Sequence, residues 1–210
     1  MLLLYCCVCH IDGGTTSFVC LDQRGYFDLL IKSYEHGKMS SYLHSLKAGS
    51  AVEVRGPVGR FKYQPGQYGC IGLIAGGTGL TPCLQVVRCV LLETDAAVRE
   101  LDKTKFVLFF QNRTEEDILL RDELDELSRL HSDRLTIVYF LSNATSESFG
   151  KATNEVRGYI GPASIQSAMS PAACPFVCIC GPSGFNDSVK AHLLAAGHTD
   201  SGDSPSLYIW

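Results

Sequence analysis

The stretch Ile74-Ala75-Gly76-Gly77-Thr78-Gly79-Leu80-Thr81-Pro82 decides the predicted fold, because it joins an apolar run to a helical segment through three glycines. The run at 71–75 carries no charge, as expected of a strand that is covered on both faces of a parallel sheet. Glycines at this turn allow the backbone to bend sharply and approach a ligand, and the following helix presents unpaired N–H groups to an anion. The stretch lacks the Gly-Lys-Ser/Thr ending of a P-loop, which argues against a nucleoside triphosphatase.

Apolar runs and helical segments alternate from this stretch to the C-terminus. Uncharged runs at 106–110, 135–141 and 176–180 predict three more buried strands, and residues 207–210 predict a last one. Helices are predicted at 82–93, 115–130, 164–169 and 185–196, with a capping box of Thr114 and Asp117 opening the second and Gly197 ending the last. This alternation is typical of a doubly wound α/β domain with a parallel sheet.

The chain before residue 66 has a different pattern. Apolar residues alternate at 27, 29 and 31 and again at 52 and 54, which is the period of a half-buried strand. A short helix is predicted at 39–46 and one more strand at 61–63, so this part is expected to form part of an antiparallel sheet or barrel. We therefore divide the chain into an atypical N-terminal segment (1–24), a partial barrel (25–66) and an α/β domain (67–210).

Composition and charge exclude several classes of protein. The net charge of the 210 residues is −4 and the 18 Lys and Arg residues are scattered, which argues against a nucleic-acid partner. The six histidines are dispersed, so no metal site is predicted. The apolar run at 2–9 is shorter than the roughly 20 residues of a membrane-spanning helix, so no transmembrane segment is predicted in this chain. The ten cysteines are expected to be mostly reduced and buried.

A second ligand signal follows the fourth parallel strand, at Cys180-Gly181-Pro182-Ser183-Gly184-Phe185. Ligands of open α/β sheets bind outside the carboxyl ends of the strands, so this turn and the turn at 76–79 are expected to face one crevice. The alternative is that Cys180 is a small apolar residue buried in the core, with no role in ligand binding. The shared crevice requires Thr78 and Cys180 to lie on the same side of the molecule.

A third signal is Gly37-Lys38-Met39-Ser40, where a glycine precedes the predicted short helix. A helix start with a lysine beside it forms a small site for a phosphate group. The alternative is a strand-turn-helix connection with a solvated lysine.

Taken together, these segments resemble the NADH-cytochrome b5 reductase family, within the larger group of ferredoxin-reductase-like flavoproteins. The resemblance runs from about Gly25 to the C-terminus. The matching stretches are Gly25-Tyr26-Phe27-Asp28-Leu29-Leu30-Ile31-Lys32, Gly37-Lys38-Met39-Ser40, Arg55-Gly56-Pro57-x-Gly59, Ile74 to Pro82, Asn112-Arg113-Thr114-Glu115-Glu116-Asp117-Ile118-Leu119-Leu120 and Cys180-Gly181-Pro182. The resemblance implies an FAD-binding barrel followed by a nicotinamide-binding α/β domain.

The resemblance also implies roles for particular residues. Lys38, Met39 and Ser40 would hold the FAD pyrophosphate, and Thr81 would reach the flavin. The nicotinamide dinucleotide side comprises Gly76, Gly77, Thr78, Gly79, Arg113, Ser142, Cys180, Gly181, Pro182, Phe185 and Trp210, with Cys180 and Thr78 nearest to the reacting ring. The implied reaction passes a hydride from NADH to FAD and then single electrons to cytochrome b5 or a similar haem acceptor, in the cytoplasm, with membrane association at the cytosolic face of the endoplasmic reticulum or the mitochondrial outer membrane.

The sequence departs from the family pattern in three places. The Arg-x-Tyr-Ser/Thr motif that clamps FAD is absent, so an open half-barrel, weak FAD binding and poor solubility are expected. Ser142 stands where relatives selective for NADH often carry an acidic residue, and with Arg113 nearby it would tolerate a 2′-phosphate. NADH remains the expected donor and NADPH the alternative. The closing Phe of the family is Trp210 here.

Two other interpretations stay open. One is the reductase module of a longer fusion, of the cytochrome b5 fusion or nitrate reductase type, because the C-terminal parts of such proteins share these motifs. A non-catalytic or catalytically weak nucleotide-binding protein is the second alternative, and it would bind NAD without reducing ferricyanide.

Overall fold

The computed structural model describes residues 4–5, 16–18, 28–33, 36–53, 61–144, 154–202 and 205–210. The stretch at 55–59 that contributes to the resemblance lies outside the described residues, as does most of the segment at 1–24.

The described residues of the N-terminal part form two short antiparallel strand pairs and one helix. Strand β1 (Leu4–Tyr5) pairs with β4 (Lys62–Tyr63), β2 (Thr16–Phe18) pairs with β3 (Asp28–Leu30), and helix α1 covers Lys38–Ser45. The alternating pattern and the predicted short helix are thus confirmed at β3 and α1. Residues 51–53 form no strand, contrary to the prediction, and Val52 is 40% exposed, so its apolar side chain has no buried face to occupy.

A six-stranded parallel sheet lies at the centre of the molecule. Its strands stand in the order β10–β9–β5–β6–β7–β8. They are β5 (Cys70–Gly76), β6 (Lys105–Asn112), β7 (Leu135–Leu141), β8 (Glu155–Arg157), β9 (Phe176–Cys180) and β10 (Leu207–Ile209). The chain adds β6, β7 and β8 on one side of β5 and then returns to place β9 on the other side. This reversal opens a crevice at the carboxyl ends of β5 and β9, the position where open α/β sheets bind ligands.

Helices cover both faces of the sheet, as expected of a doubly wound domain. They are α2 (Leu80–Leu91), α3 (Ala96–Leu101), α4 (Arg121–Leu130), α5 (Pro162–Ala168) and α6 (Ser183–Ala195). Leu73 of β5 packs in one buried cluster with Leu84 of α2 and Leu124 of α4, whereas the next residue, Ile74, packs in a second cluster with Ile165 of α5. The predicted fold class is confirmed.

Helix α4 begins at Arg121, six residues later than the capping box predicted. The backbone N–H and the hydroxyl of Thr114 both donate to Asp117 Oδ2, so the pair closes a turn instead of a helix start. Leu120 then takes a left-handed conformation, with φ of 54°, which no continuous α-helix permits. The helix prediction at 115–120 was therefore wrong.

The end of α6 follows the prediction. Gly197 has φ of 101°, its N–H donates to the carbonyl of Leu194, and the N–H of His198 donates to the carbonyl of Leu193. These two bonds form a Schellman motif, in which glycine supplies the left-handed residue that stops the helix.

Of the six cysteines that the structure describes, four are thiols, in line with the prediction, and two form a disulfide. Cys70 at the start of β5 and Cys174 just before β9 are joined by a disulfide, with their Cα atoms 4.9 Å apart. Thiols are retained at Cys83, Cys89, Cys178 and Cys180.

None of the helices among the described residues combines the length and apolar character needed to cross a membrane.

Candidate functional site

The two glycine turns meet at the carboxyl edge of the sheet. β5 and β9 are hydrogen-bonded neighbours with Ala75 level with Cys180, so the turns that follow them begin side by side. Contact between the turns is close, because a Cβ added at Gly79 would overlap the carbonyl oxygen of Cys180. Thr78 and Cys180 therefore lie on the same side of the molecule, which is the placement that the shared crevice requires.

Glycines also form the floor beneath an aromatic ring. The ring of Phe185 lies over Gly76, where an added Cβ would stand 3.1 Å from the ring, and over Gly181, where an added Cβ would overlap it. Gly77 has φ of 54°, a left-handed conformation that bends the chain out of β5 into α2. The sequence GGTG is thus required by packing as well as by the turn.

A cavity of about 570 Å³ opens at this edge, between the ends of β5, β6 and β7 and the segment at 30–32. Seven predicted site residues line it: Gly76, Gly77, Thr78, Arg113, Ser142, Pro182 and Phe185. Its volume falls within the range of small-molecule and cofactor sites. We call it the edge cavity.

Nine lining residues were not predicted from the sequence: Leu30, Ile31, Lys32, Gln111, Asn112, Glu116, Asp117, Leu119 and Tyr159. Gln111 and Asn112 end β6, and their place at the carboxyl end of a parallel strand was a signal that could have found them. Tyr159 follows β8, a three-residue strand whose charged sequence gave no apolar run to recognise.

Asn112 lines the edge cavity and also carries a buried hydrogen-bond donor. Its side chain is buried, and among the described residues its Nδ2 has no hydrogen-bond partner. A buried donor left unpaired costs about 1–3 kcal/mol. The Nδ2 atom has almost no accessible surface, so it is not presented to the cavity.

Charges of both signs line the edge cavity. Lys32 and Arg113 carry positive charge, and Glu116 and Asp117 carry negative charge. One oxygen of Asp117 is already occupied by the hydrogen bonds from Thr114. Ser142 brings no charge at the end of β7, and its hydroxyl donates to the carbonyl oxygen of Asn112 over 3.4 Å.

Cys180 lies next to the edge cavity without lining it and packs against the core. Burial raises the pKa of its thiol to about 12, because the protein interior disfavours the thiolate. The thiol is consequently neutral at physiological pH and cannot act there as a nucleophile or base. Gly79 and Gly181 also stand beside the cavity as packing residues.

The residues predicted to hold FAD lie apart from the edge cavity. Within the described part of the chain no side chain caps the start of α1, and Ser40 is buried, with its hydroxyl donating to the carbonyl of Gly37 over 3.1 Å. Such an uncapped helix start beside the exposed Lys38, followed by Met39, fits a pyrophosphate. Thr81 is fully buried and its hydroxyl donates to the carbonyl of Thr78, so the structure gives it no exposed surface for a flavin.

Trp210 packs away from the edge cavity. Its ring lies 5.6 Å from that of Phe61 and 5.3 Å from that of Tyr208 in an edge-on arrangement. Its indole Nε1 is buried and has no hydrogen-bond partner among the described residues. Trp210 therefore makes no contact with the edge cavity that would support its predicted place beside the nicotinamide dinucleotide.

Two family models match the chain. The Oxidoreductase FAD-binding domain matches residues 15–63, and the Oxidoreductase NAD-binding domain matches residues 73–191. These matches confirm the predicted cofactor classes, FAD and a nicotinamide adenine dinucleotide.

Curated relatives extend the match. The chain is 41% identical over 181 residues to NADH-cytochrome b5 reductase 1 of Dictyostelium discoideum, covering 86% of this chain and 59% of that protein. It is 40% identical over 178 residues to NADH-cytochrome b5 reductase 1 of Mycosarcoma maydis, covering 84% and 52%. The chain thus spans between half and three fifths of the length of these relatives.

Solved structures agree in fold. The cytochrome b5 reductase domain of Ulva prolifera nitrate reductase superposes with a TM-score of 0.76 at 30% identity, covering 93% of this chain and 78% of that domain. The CS-b5R domains of human Ncb5or, in the NAD+ form, superpose with a TM-score of 0.73 at 26% identity, covering 95% and 57%. A ferredoxin NADP+ reductase from Neisseria gonorrhoeae with bound FAD and NADP shares the fold with a TM-score of 0.60 at 15% identity, covering 88% of this chain and 72% of that one.

Proposed function

The chain belongs to the NADH-cytochrome b5 reductase family, and we propose that it passes a hydride from NADH to FAD and then single electrons to cytochrome b5 or a similar haem acceptor. The observation that supports this most directly is the edge cavity, where the turn after β5 and the turn after β9 adjoin. Family membership alone would leave open whether this chain retains a usable site. The contact of Gly79 with the backbone of Cys180, which brings the two turns together, supports the proposal that it does.

The side chains of the edge cavity bind and orient the substrate and take no part as acids or bases. FAD, when bound, supplies the chemistry by accepting a hydride and releasing electrons one at a time. Gly77 leaves the backbone open to the dinucleotide, because a Cβ added there would meet nothing within 4 Å, and Asn112 lies beside the site at the end of β6. Cys180, which lies next to the edge cavity, keeps a neutral thiol that takes no part as an acid or base.

The donor is proposed to be NADH, with NADPH as the alternative. Ser142 and Arg113 would accept the 2′-phosphate of NADPH, whereas Glu116 and Asp117 in the same cavity would repel it. Comparison of kcat/KM for the two nucleotides decides between them. A clear preference for NADPH would reverse the assignment.

The electron acceptor and the location follow from family membership and remain proposals. Cytochrome b5 or another one-electron haem protein is the proposed partner. The proposed place is the cytoplasm, at the cytosolic face of the endoplasmic reticulum or of the mitochondrial outer membrane.

The experiment that tests the function measures NADH oxidation at 340 nm by the purified chain, with added FAD and with ferricyanide as the acceptor. Turnover that depends on both NADH and FAD supports the proposal. NADH binding without ferricyanide reduction, even with FAD in excess, supports instead a nucleotide-binding protein without reductase activity.

A second candidate is the reductase module of a longer fusion protein. The similarity to the reductase domain of the Ulva prolifera nitrate reductase, at 30% identity over 78% of that domain, favours it specifically. The genomic sequence upstream of residue 1 distinguishes the two. A haem-binding domain with paired histidines there would indicate a fusion.

A further inference from the structure

The side chain of Gln111 makes hydrogen bonds to the backbone that the proposed mechanism does not use. It is buried at the end of β6 and lines the edge cavity. Its Nε2 lies 3.1 Å from each of three carbonyl oxygens, those of Asn112, Phe140 and Gly158. Its Oε1 accepts a hydrogen bond of 3.0 Å from the N–H of Ile160. The reverse orientation of the amide would set its oxygen against three carbonyl oxygens, so the network fixes which atom is which.

These bonds bridge one strand of the sheet. β7 lies between β6 and β8, and the chain leaves β8 at Gly158, which has φ of 110°. To reach α5 the chain crosses the carboxyl end of β7, where the N–H of Gly158 still donates to the carbonyl of Leu141, the last residue of β7, over 2.8 Å. Gln111 supplies partners there from β6, because it bonds the carbonyl of Gly158 and the N–H of Ile160.

The residue between these two anchors is Tyr159. Its side chain lines the edge cavity and is 76% exposed. Among the described residues, none holds its ring by a hydrogen bond or a ring contact, so the backbone on either side determines where the ring stands. A large ring at the mouth of a cavity gains stability when a flat or apolar part of a ligand covers it.

We propose that Gln111 is a positioning residue of the dinucleotide site, which fastens the backbone on both sides of Tyr159 and so holds that ring as a wall of the edge cavity. The inference rests on the proposed function in one respect, that NADH is the ligand of this cavity. Gln111 acts through Tyr159 and stands apart from the hydride transfer. Its loss should therefore weaken NADH binding and raise KM while kcat stays the same.

A double-mutant cycle separates this role from that of an ordinary core amide. The probe is NADH, titrated into the purified chain by calorimetry, with the wild type and the variants Gln111→Ala, Tyr159→Ala and both together. We expect each single variant to raise the Kd for NADH about five- to tenfold, the effect of losing one good contact. The double variant should bind no more weakly than Tyr159→Ala, because Gln111 has nothing left to position.

Gln85 provides the matched control. It is also a buried glutamine, in α2, and it does not line the edge cavity. Gln85→Ala should lower Tm, as Gln111→Ala does, and leave the Kd for NADH unchanged. Equal weakening of NADH binding by Gln85→Ala would show that loss of stability explains the effect, and the proposal would be wrong.

A second measurement needs no variant and covers the case in which Gln111→Ala fails to fold. In the wild-type chain the Ile160 amide should exchange its hydrogen slowly, because it donates to Gln111, and more slowly still with NADH present. Exchange at the rate of an open loop, or additive effects in the cycle, would overturn the proposal. Absence of any NADH binding by the wild type would overturn the proposed function and this inference with it, whereas binding with additive effects would overturn this inference alone.

Discussion

At the scale of single residues, the site depends on positions where there is no room for a side chain. Gly79 is the sharpest case, because an added Cβ would overlap the carbonyl oxygen of Cys180, which is backbone and cannot move aside cheaply. The proposed hydride transfer would require a nicotinamide dinucleotide to lie against these turns. Space beside the backbone is therefore as important to this site as any functional group.

We expect Gly79→Ala to lower Tm and to raise the Kd for NADH by about tenfold or more, since overpacking of this kind costs about 1–3 kcal/mol. Calorimetric titration and thermal denaturation measure the two effects. Gly184→Ala is the control, because a Cβ at Gly184 meets nothing within 4 Å and alanine favours the helix. An unchanged Kd in Gly79→Ala would contradict the packing of the two turns.

The side chain at position 142 should control the choice of nucleotide. Ser142→Asp places a negative charge where the 2′-phosphate of NADPH would lie, and a nearby like charge costs about 1 kcal/mol or more. We expect kcat/KM for NADPH to fall about tenfold while that for NADH changes little. Ser142→Asn, similar in size to aspartate and uncharged, should leave the ratio near that of the wild type. An equal effect of both substitutions would show that charge at this position is irrelevant.

The Cys180 thiol gives the stability of the protein a predictable dependence on pH. Its pKa is raised by burial to about 12, from an ordinary value of 9.0, so the folded state keeps the proton over a range in which the unfolded state loses it. The free energy of unfolding should therefore fall as the pH rises above about 9. Cys180→Ala should flatten this fall when denaturant unfolding is measured from pH 8 to about 10.5. Buried Tyr63 and Tyr139, whose pKa values burial also raises, contribute with the same sign in both proteins, so the difference between the two isolates the thiol.

At the scale of elements, the sequence predicted what depends on apolar periodicity and missed what depends on particular hydrogen bonds. The uncharged runs identified β5, β6, β7 and β9, because strands covered on both faces carry no other pattern. Helix α3 was missed because none of its residues is buried. Its start is held by Asp95, whose carboxylate accepts from the N–H groups of Ala97 and Val98.

The edge cavity was likewise predictable where it depends on apolar strands and not where it depends on particular hydrogen bonds. The glycine turns were predicted from their place after apolar strands, and seven of the residues named from the sequence line the cavity. Tyr159 could not be predicted, because its position depends on a bond between side chain and backbone over 49 residues, from Gln111 to Ile160. Thr114 and Asp117 were assigned to a helix start because a capping box and a closed turn share the same sequence pattern.

The Schellman motif at the end of α6 makes a prediction about this element. Gly197→Ala forces a left-handed φ of 101° on a residue with a Cβ, so we expect the free energy of unfolding to fall by about 1–2 kcal/mol. Chemical denaturation measures it. NADH binding should be unaffected, because the motif lies outside the edge cavity. No loss of stability would mean that the helix ends by another route.

At the scale of the whole molecule, the reversal of strand order beside β5 is what brings distant segments of the chain together. The turns at 76–79 and 180–182 are about a hundred residues apart in sequence and adjoin because β9 returns to pair with β5. The segment at 30–32, from the N-terminal part, closes the cavity from the other side. The site is therefore a product of topology, and a family motif read alone could not have shown its walls.

FAD retention by the 210-residue chain is a property of the whole molecule. The start of α1 fits a pyrophosphate, but Thr81 is buried and the Arg-x-Tyr-Ser/Thr motif is absent from the sequence. We expect the purified chain to hold much less than one FAD per molecule after gel filtration, measured by absorbance near 450 nm. A yellow protein with stoichiometric, tightly bound FAD would refute this prediction.

The most direct test of the central claim is amide hydrogen exchange of the purified chain with and without NAD+. One ligand seated between the two turns should slow exchange in both of them, at 76–79 and at 181–185, while the loop at 47–51 stays unchanged. Protection of only one turn, or of neither, would contradict the claim that they form a single nucleotide site.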